Sequence, residues 1–148
     1  MGNYKPLLDA SGFAVSGASL IDLFETAAQA MFAVEYDTST VGFEREVGIS
    51  GTAEDIDALL LVWLRELLAA YSVHGFVPGD FMVIELGEPP LRRYGQTGMA
   101  VRGRTRGRDI GDWFVAEGPR IVEVSAEPLE VSKRRTKFST KVWLELGD

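Results

Sequence analysis

Ile56-Asp57-Ala58-Leu59-Leu60-Leu61-Val62-Trp63-Leu64-Arg65-Glu66-Leu67-Leu68-Ala69-Ala70-Tyr71 is the stretch that decides the fold. Ile56, Leu59, Leu60, Trp63, Leu64, Leu67, Leu68 and Tyr71 recur at the three- and four-residue steps of a single helix face. The pattern predicts a helix that starts at Thr52, carries Asp55 at its third position, and stops at Gly75. Glu54, Asp55 and Asp57 then belong to its first turn, where negative charge suits the helix dipole, and His74 suits the opposite pole. Upstream, Ser19 followed by Asp22 resembles a capping box. Leu20, Leu23, Phe24, Ala27, Ala28, Met31 and Phe32 follow on one face and predict a first helix.

Away from these helices the apolar period drops to two. Val41–Ser50 sets Phe43, Val47 and Ile49 against Glu44, Glu46 and Ser50. Strands are also expected over Phe81–Leu86 and Met99–Thr105, and in a pair at Ile121–Ala126 and Leu129–Ser132 around Pro128. A last strand carries Phe138, Thr140, Val142, Leu144 and Leu146. Two amphipathic helices need an apolar sheet face to cover. The expected class is α+β: a two-layer α/β sandwich with two main helices packed on a mixed sheet of five to six strands, in a single domain over residues 1–148.

Composition narrows the chemistry. The chain has 148 residues with 46% hydrophobic and 25% charged residues, enough for one core. It has no cysteine, which excludes disulfides, thiolate metal sites and a cysteine nucleophile. With one histidine, a histidine-rich metal site is excluded and a histidine triad has little to build on. The longest apolar run, Ala58–Leu64, is far too short to span a bilayer. Met1–Pro6 has no apolar signal core, and Pro6 stands where a myristoylation motif needs Ser or Thr, so the expected location is cytoplasmic.

The net charge of −7 is unevenly spread: residues 1–90 carry −11 and residues 91–148 carry +4. Arg92, Arg93, Arg102, Arg104, Arg106 and Arg108 fall within 17 residues, and Lys133, Arg134, Arg135, Lys137 and Lys141 follow. Alternation puts Arg102, Arg104 and Arg106 on one strand face, a candidate surface for a partner's acids or for RNA phosphates, with a solvated sheet face as the alternative. No aromatic residues interleave them, which argues against base stacking. Gly103, Gly107 and Gly111 lack the spacing of a phosphate loop and are expected to form a flexible turn. No nucleophile–base pair is visible, so no catalytic residue is assigned and the chain is not expected to be an enzyme. Asp9 and Asp148 lie at opposite ends and meet only if the first and last strands are neighbours.

Two stretches resemble the archease family. Leu20-Ile21-Asp22-Leu23-Phe24-Glu25-Thr26-Ala27-Ala28-Gln29-Ala30-Met31-Phe32 is similar to the family's first helix, and Asp37 matches the Asp after it. Leu59–Leu68 followed by Gly75-Phe76-Val77-Pro78-Gly79-Asp80-Phe81 is similar to the family's second helix and its turn into a strand. The resemblance implies a small cytosolic accessory factor for a tRNA-splicing RNA ligase, one that promotes ligase guanylylation and multiple turnover and is also linked to tRNA methylation. It implies a partner that is an RNA-splicing ligase or another RNA-processing protein, with no membrane or DNA role, and the basic second half is this chain's own candidate for direct RNA contact. It also implies a divalent cation such as calcium, with Asp9 and Asp148 as the ligands left to hold it. The family's His-Thr-Ala-Asp motif is replaced here by Ala10-Ser11-Gly12-Phe13, so Phe13 stands at the metal-binding Asp. Ile121–Glu127 keeps none of the Lys, Tyr or His of the family's later strand, and Gly147 falls where a C-terminal Asp is expected. A hard cation needs several oxygen ligands, which points to an eroded metal site. The other reading is a repurposed protein-binding or scaffold module on the same fold, with no ligase-activating role.

Overall fold

The computed structural model describes residues 2–7, 12–87, 98–109 and 121–147. Strands β1 (Asn3–Pro6) and β2 (Gly12–Gly17) precede helix α1 (Leu20–Ala33) and a 3-10 turn at Thr38–Thr40. Strand β3 (Arg45–Ala53) leads into helix α2 (Ile56–Ser72), and β4 (Phe76–Gly87), β5 (Met99–Asp109), β6 (Ile121–Ala126), β7 (Glu130–Val131) and β8 (Phe138–Leu146) follow.

The α+β class holds, but the strands do not share one mixed sheet. They form two: β1-β2-β8-β6 with β7 also on β8, and β3-β5-β4. All the described pairings are antiparallel. Both helices touch both sheets, α1 through β2 and β4 and α2 through β3 and β6. A helix buried along a wide stripe can cover two sheets at once, which a periodicity argument with one facing layer does not anticipate.

Both helices bury the faces that their spacing predicts. Leu23, Phe24, Ala27, Ala28, Met31 and Phe32 of α1 and Leu59, Leu60, Trp63, Leu64, Leu67 and Tyr71 of α2 are buried. Phe32 stacks on Phe81 with ring centroids 5.6 Å apart and meets Tyr71 edge-on at 5.5 Å. Ser19 caps α1, accepting from the Asp22 amide at 3.0 Å, and the Asp22 carboxylate accepts from the Ala18 amide at 3.0 Å. The second helix starts later than Thr52. Strand β3 runs on to Ala53, and Asp55 is the N-cap itself, accepting from the Ala58 amide at 2.8 Å. Gly75 follows the helix at φ 67, as a left-handed terminator should, with exposed His74 just before it.

Two strands at the N-terminus carry too little pattern to be read from sequence. Strand β1 is exposed throughout, and β2 turns only Phe13, Val15 and Gly17 inward. Strand β4 begins at Phe76 and includes Pro78, which an edge strand tolerates because its outer side needs no amide donor. Strands β6 and β7 do not pair with each other; each pairs with β8 on either side of Pro128.

Gly103 and Gly107 are not a flexible turn, and Gly111 lies outside the described residues. Both lie inside β5, facing inward. A Cβ on Gly103 would stand 2.4 Å from the Met82 carbonyl oxygen and 2.9 Å from the Trp63 ring, and one on Gly107 would stand 1.9 Å from the Val77 carbonyl oxygen. The backbone comes too close for any side chain at these positions.

Helix carboxylates tie the strands down. Glu25 accepts from the Val83 amide at 2.8 Å, where β4 shifts register between Val83 and Glu85. Asp57 accepts from the Leu129 amide at 2.7 Å. An alanine at Glu25 strands a half-buried amide, and the expected loss is about 1–3 kcal/mol in chemical denaturation. A midpoint unchanged from the parent would show that water replaces the carboxylate.

Candidate docking surface

Alternation along β5 sends Val101, Gly103, Thr105 and Gly107 into the core and leaves Arg102, Arg104, Arg106 and Arg108 on the outer face of the three-stranded sheet. Strands β3 and β4 flank β5 on either side, and they and the residue just before β3 supply a carboxylate for each arginine. Arg102 pairs with Glu85 at 2.7 Å, Arg104 with Glu46, and Arg108 with Glu44 at 3.6 Å. Arg106 is held most firmly. Its side chain forks onto Asp80, with Nε 2.9 Å from Oδ2, while its backbone amide donates to Oδ1 at 3.1 Å. This carboxylate holds the Arg106 guanidinium yet further toward its charged form. The same guanidinium lies 4.2 Å from the centroid of the exposed Phe43 ring. Beyond the ladder, Arg45 reaches Asp109.

The expected basic stripe is therefore a ladder of alternating charge. Met82 and Ile84 stand exposed on the same face of β4. The surface offers fixed charges of both signs beside apolar side chains, which suits a protein partner more than a phosphate backbone. Sequence reading found the arginines and missed their partners Asp80 and Glu85. Glu44 and Glu46 had shown the matching alternation, but only strand register places them opposite arginines.

Exposed ion pairs contribute about 0–1 kcal/mol each. Reversing Arg102, Arg104 and Arg106 to glutamate together is expected to leave a folded protein with a lowered melting temperature. Arg106→Glu should account for most of the loss, because its Asp80 partner is shared with the backbone. A collapse of dispersed amide resonances in the triple variant would contradict this placement.

The other candidate site fares differently. Strands β2 and β8 are neighbours, with Gly12 opposite Trp143 and Phe13 opposite Val142, so the start of β2 lies beside the C-terminal half of the last strand. Asp9 and Asp148 themselves lie outside the described residues. Phe13 is 3% exposed, its ring edge-on to Tyr4 at 6.4 Å, and it offers a cation no oxygen. Among the described residues no group of three or more His, Asp or Glu side chains could hold a metal ion. The side chains among the described residues do not fit a hard cation. Thermal melting in calcium and in EDTA is expected to superimpose; a higher midpoint in calcium would reveal ligands beyond Phe13.

The chain is an α+β protein of two helices and two antiparallel sheets. Residues 10–144 match the Archease protein family. Protein archease of Archaeoglobus fulgidus is 34% identical over 111 residues, which cover 74% of each chain. That of Methanosarcina mazei is 40% identical over 76 residues, 51% of this chain and 52% of the relative. The solution structure of protein 1598 of Methanobacterium thermoautotrophicum superposes with a TM-score of 0.67 over 97% of both chains at 24% identity, a shared fold. The chain belongs to the archease family. Archeases are accessory factors of RNA ligases in RNA processing rather than enzymes. No helix among the described residues is long and apolar enough to cross a membrane.

Proposed function

We propose that this chain assists a tRNA-splicing RNA ligase in the cytoplasm, promoting ligase guanylylation and turnover, as a single domain over residues 1–148. The ligase docks on the outer face of the three-stranded sheet through Arg102, Arg104 and Arg106. The observation that carries this reading is the family match over residues 10–144, which takes in both helices and the whole arginine–carboxylate ladder. On that face each guanidinium is already oriented by a carboxylate, so little side-chain freedom is lost when a partner's groups replace water around it.

The test is a guanylylation and multiple-turnover assay with the RNA ligase of the same organism. Stimulation by the parent protein is expected, together with its loss in the folded Arg102→Glu/Arg104→Glu/Arg106→Glu variant. Stimulation by parent and variant alike would keep the accessory role and remove the docking face.

One observation favours a second reading. Phe13 is packed as core where the family's metal-binding Asp belongs, so an activity that needs the ion has lost a ligand here. A repurposed protein-binding module would give no stimulation from a folded parent protein and would leave the ligase's own rate unchanged.

A further inference from the structure

The five-stranded sheet has an outer face of its own. Phe13, Val15, Thr140, Val142 and Leu144 are its buried side, so alternation turns Ala14, Ser16, Ser139 and Lys141 the other way. There a cleft of about 420 Å³ opens beside the Glu127–Glu130 segment. Register orders its floor. Lys5 and Lys141 stand on either side of Ala14 in one cross-strand row, and Asn3 and Ser139 stand on either side of Ser16 in the next. Two strand spacings put the lysine Cα atoms about 10 Å apart. Two long side chains can close on a group of phosphate size over the alanine methyl. Lys137 adds a third ammonium to the lining.

The charges here differ in kind from those of the arginine ladder. Every ion pair among the described residues uses an arginine, and none uses these three lysines. Of the two carboxylates at the rim, Glu127 accepts from the Trp143 indole N–H at 3.2 Å, and Glu130 is the other. Small floor residues, hydroxyl and amide donors, and ammonium groups without ion partners make a receptor for an anion.

We propose that this cleft binds the phosphate groups of a phosphorylated ligand, with Lys5 and Lys141 gripping one phosphate and Ser16 and Ser139 donating beside them. The proposal stands apart from the docking face, which lies on the other sheet. A free nucleotide and an RNA backbone share this chemistry, and the experiment separates them.

Amide resonances of the full chain are followed at low salt during titration with pyrophosphate, GTP, guanosine and a short single-stranded RNA. Pyrophosphate and GTP are expected to shift Ala14, Ser16, Ser139 and Lys141, and guanosine is not. Lys5→Gln and Lys141→Gln should each weaken pyrophosphate binding, and together by about tenfold or more. The two single variants are read separately, so the test survives a double variant that does not fold. Arg65→Gln, on α2 and away from the cleft, leaves the affinity unchanged. RNA binding tighter than GTP names the backbone as the ligand, and GTP binding as tight as RNA names the nucleotide. Absence of shifts in these two rows, equal shifts with guanosine, or undiminished binding by the lysine variants overturns the proposal.

Discussion

Replacing Trp63 with alanine is expected to lower the melting temperature by about 10–15 °C while leaving the far-ultraviolet circular dichroism of the cold protein helical. Trp63 is fully buried, and its indole N–H donates to the Phe24 carbonyl at 3.0 Å, joining the two helices. The far edge of its ring reaches the Gly103 backbone of the three-stranded sheet. One side chain thus holds α2 to both α1 and β5. Truncating a buried tryptophan costs about 3–5 kcal/mol, and the void left between three rigid elements closes poorly. Gly103→Ala tests the same contact from the other side. Its new methyl group would meet the Met82 carbonyl as well as the ring, so the sheet itself must shift. A midpoint lowered by less than about 3 °C in Trp63→Ala would mean that the ring carries little of this packing.

Phe13→Asp is expected to destabilise the protein by at least about 3 kcal/mol at neutral pH, and by more as the pH rises. The position is buried, sits opposite Val142 and Pro6, and packs edge-on against Tyr4. The loss combines the phenyl ring's packing with burial of a carboxyl group. Burial disfavours the charged form, so the folded-state pKa rises above the unfolded value of about 3.9. The folded variant then binds more protons than the unfolded one, and its stability falls as the pH climbs through the raised pKa. Denaturant midpoints between pH 4 and pH 8 check the sign. A variant that gains stability with pH would show that the new carboxylate has found a cationic partner. Full rescue by calcium would show that a latent ion site persists around it.

The helices were legible because burial of one face imposes a period that no other element shares. Leu59, Trp63 and Tyr71 are as diagnostic in the chain as in the core. Strand β2 was not, since only Phe13 and Val15 among its large residues face inward, too few to set a period. The family resemblance drew attention to Phe13 as the position of a metal-binding Asp, a role its buried ring cannot fill. Arg102, Arg104 and Arg106 were placed correctly on an exposed face from alternation alone. Their neutralisation by Glu85, Glu46 and Asp80 was invisible, because the partners sit 17, 58 and 26 residues away in sequence and meet them only through register. The glycines of β5 were misread for a related reason. A glycine required by a close backbone approach looks the same in sequence as one that loosens a turn, and only the Trp63 ring and the Val77 carbonyl tell them apart.

Short-range chemistry therefore determined what this sequence settles by itself: two capped amphipathic helices, the alternating strands, the absence of cysteine chemistry, and the archease pattern carried on the helix faces. The tertiary structure alone decided which strands become neighbours. That choice split the strands into two antiparallel sheets, turned a basic stripe into a neutral ladder, and brought Lys5 beside Lys141 across Ala14. Strand neighbours are set by burial of the whole core at once, and charges on a sheet acquire their partners only after that burial has fixed the register.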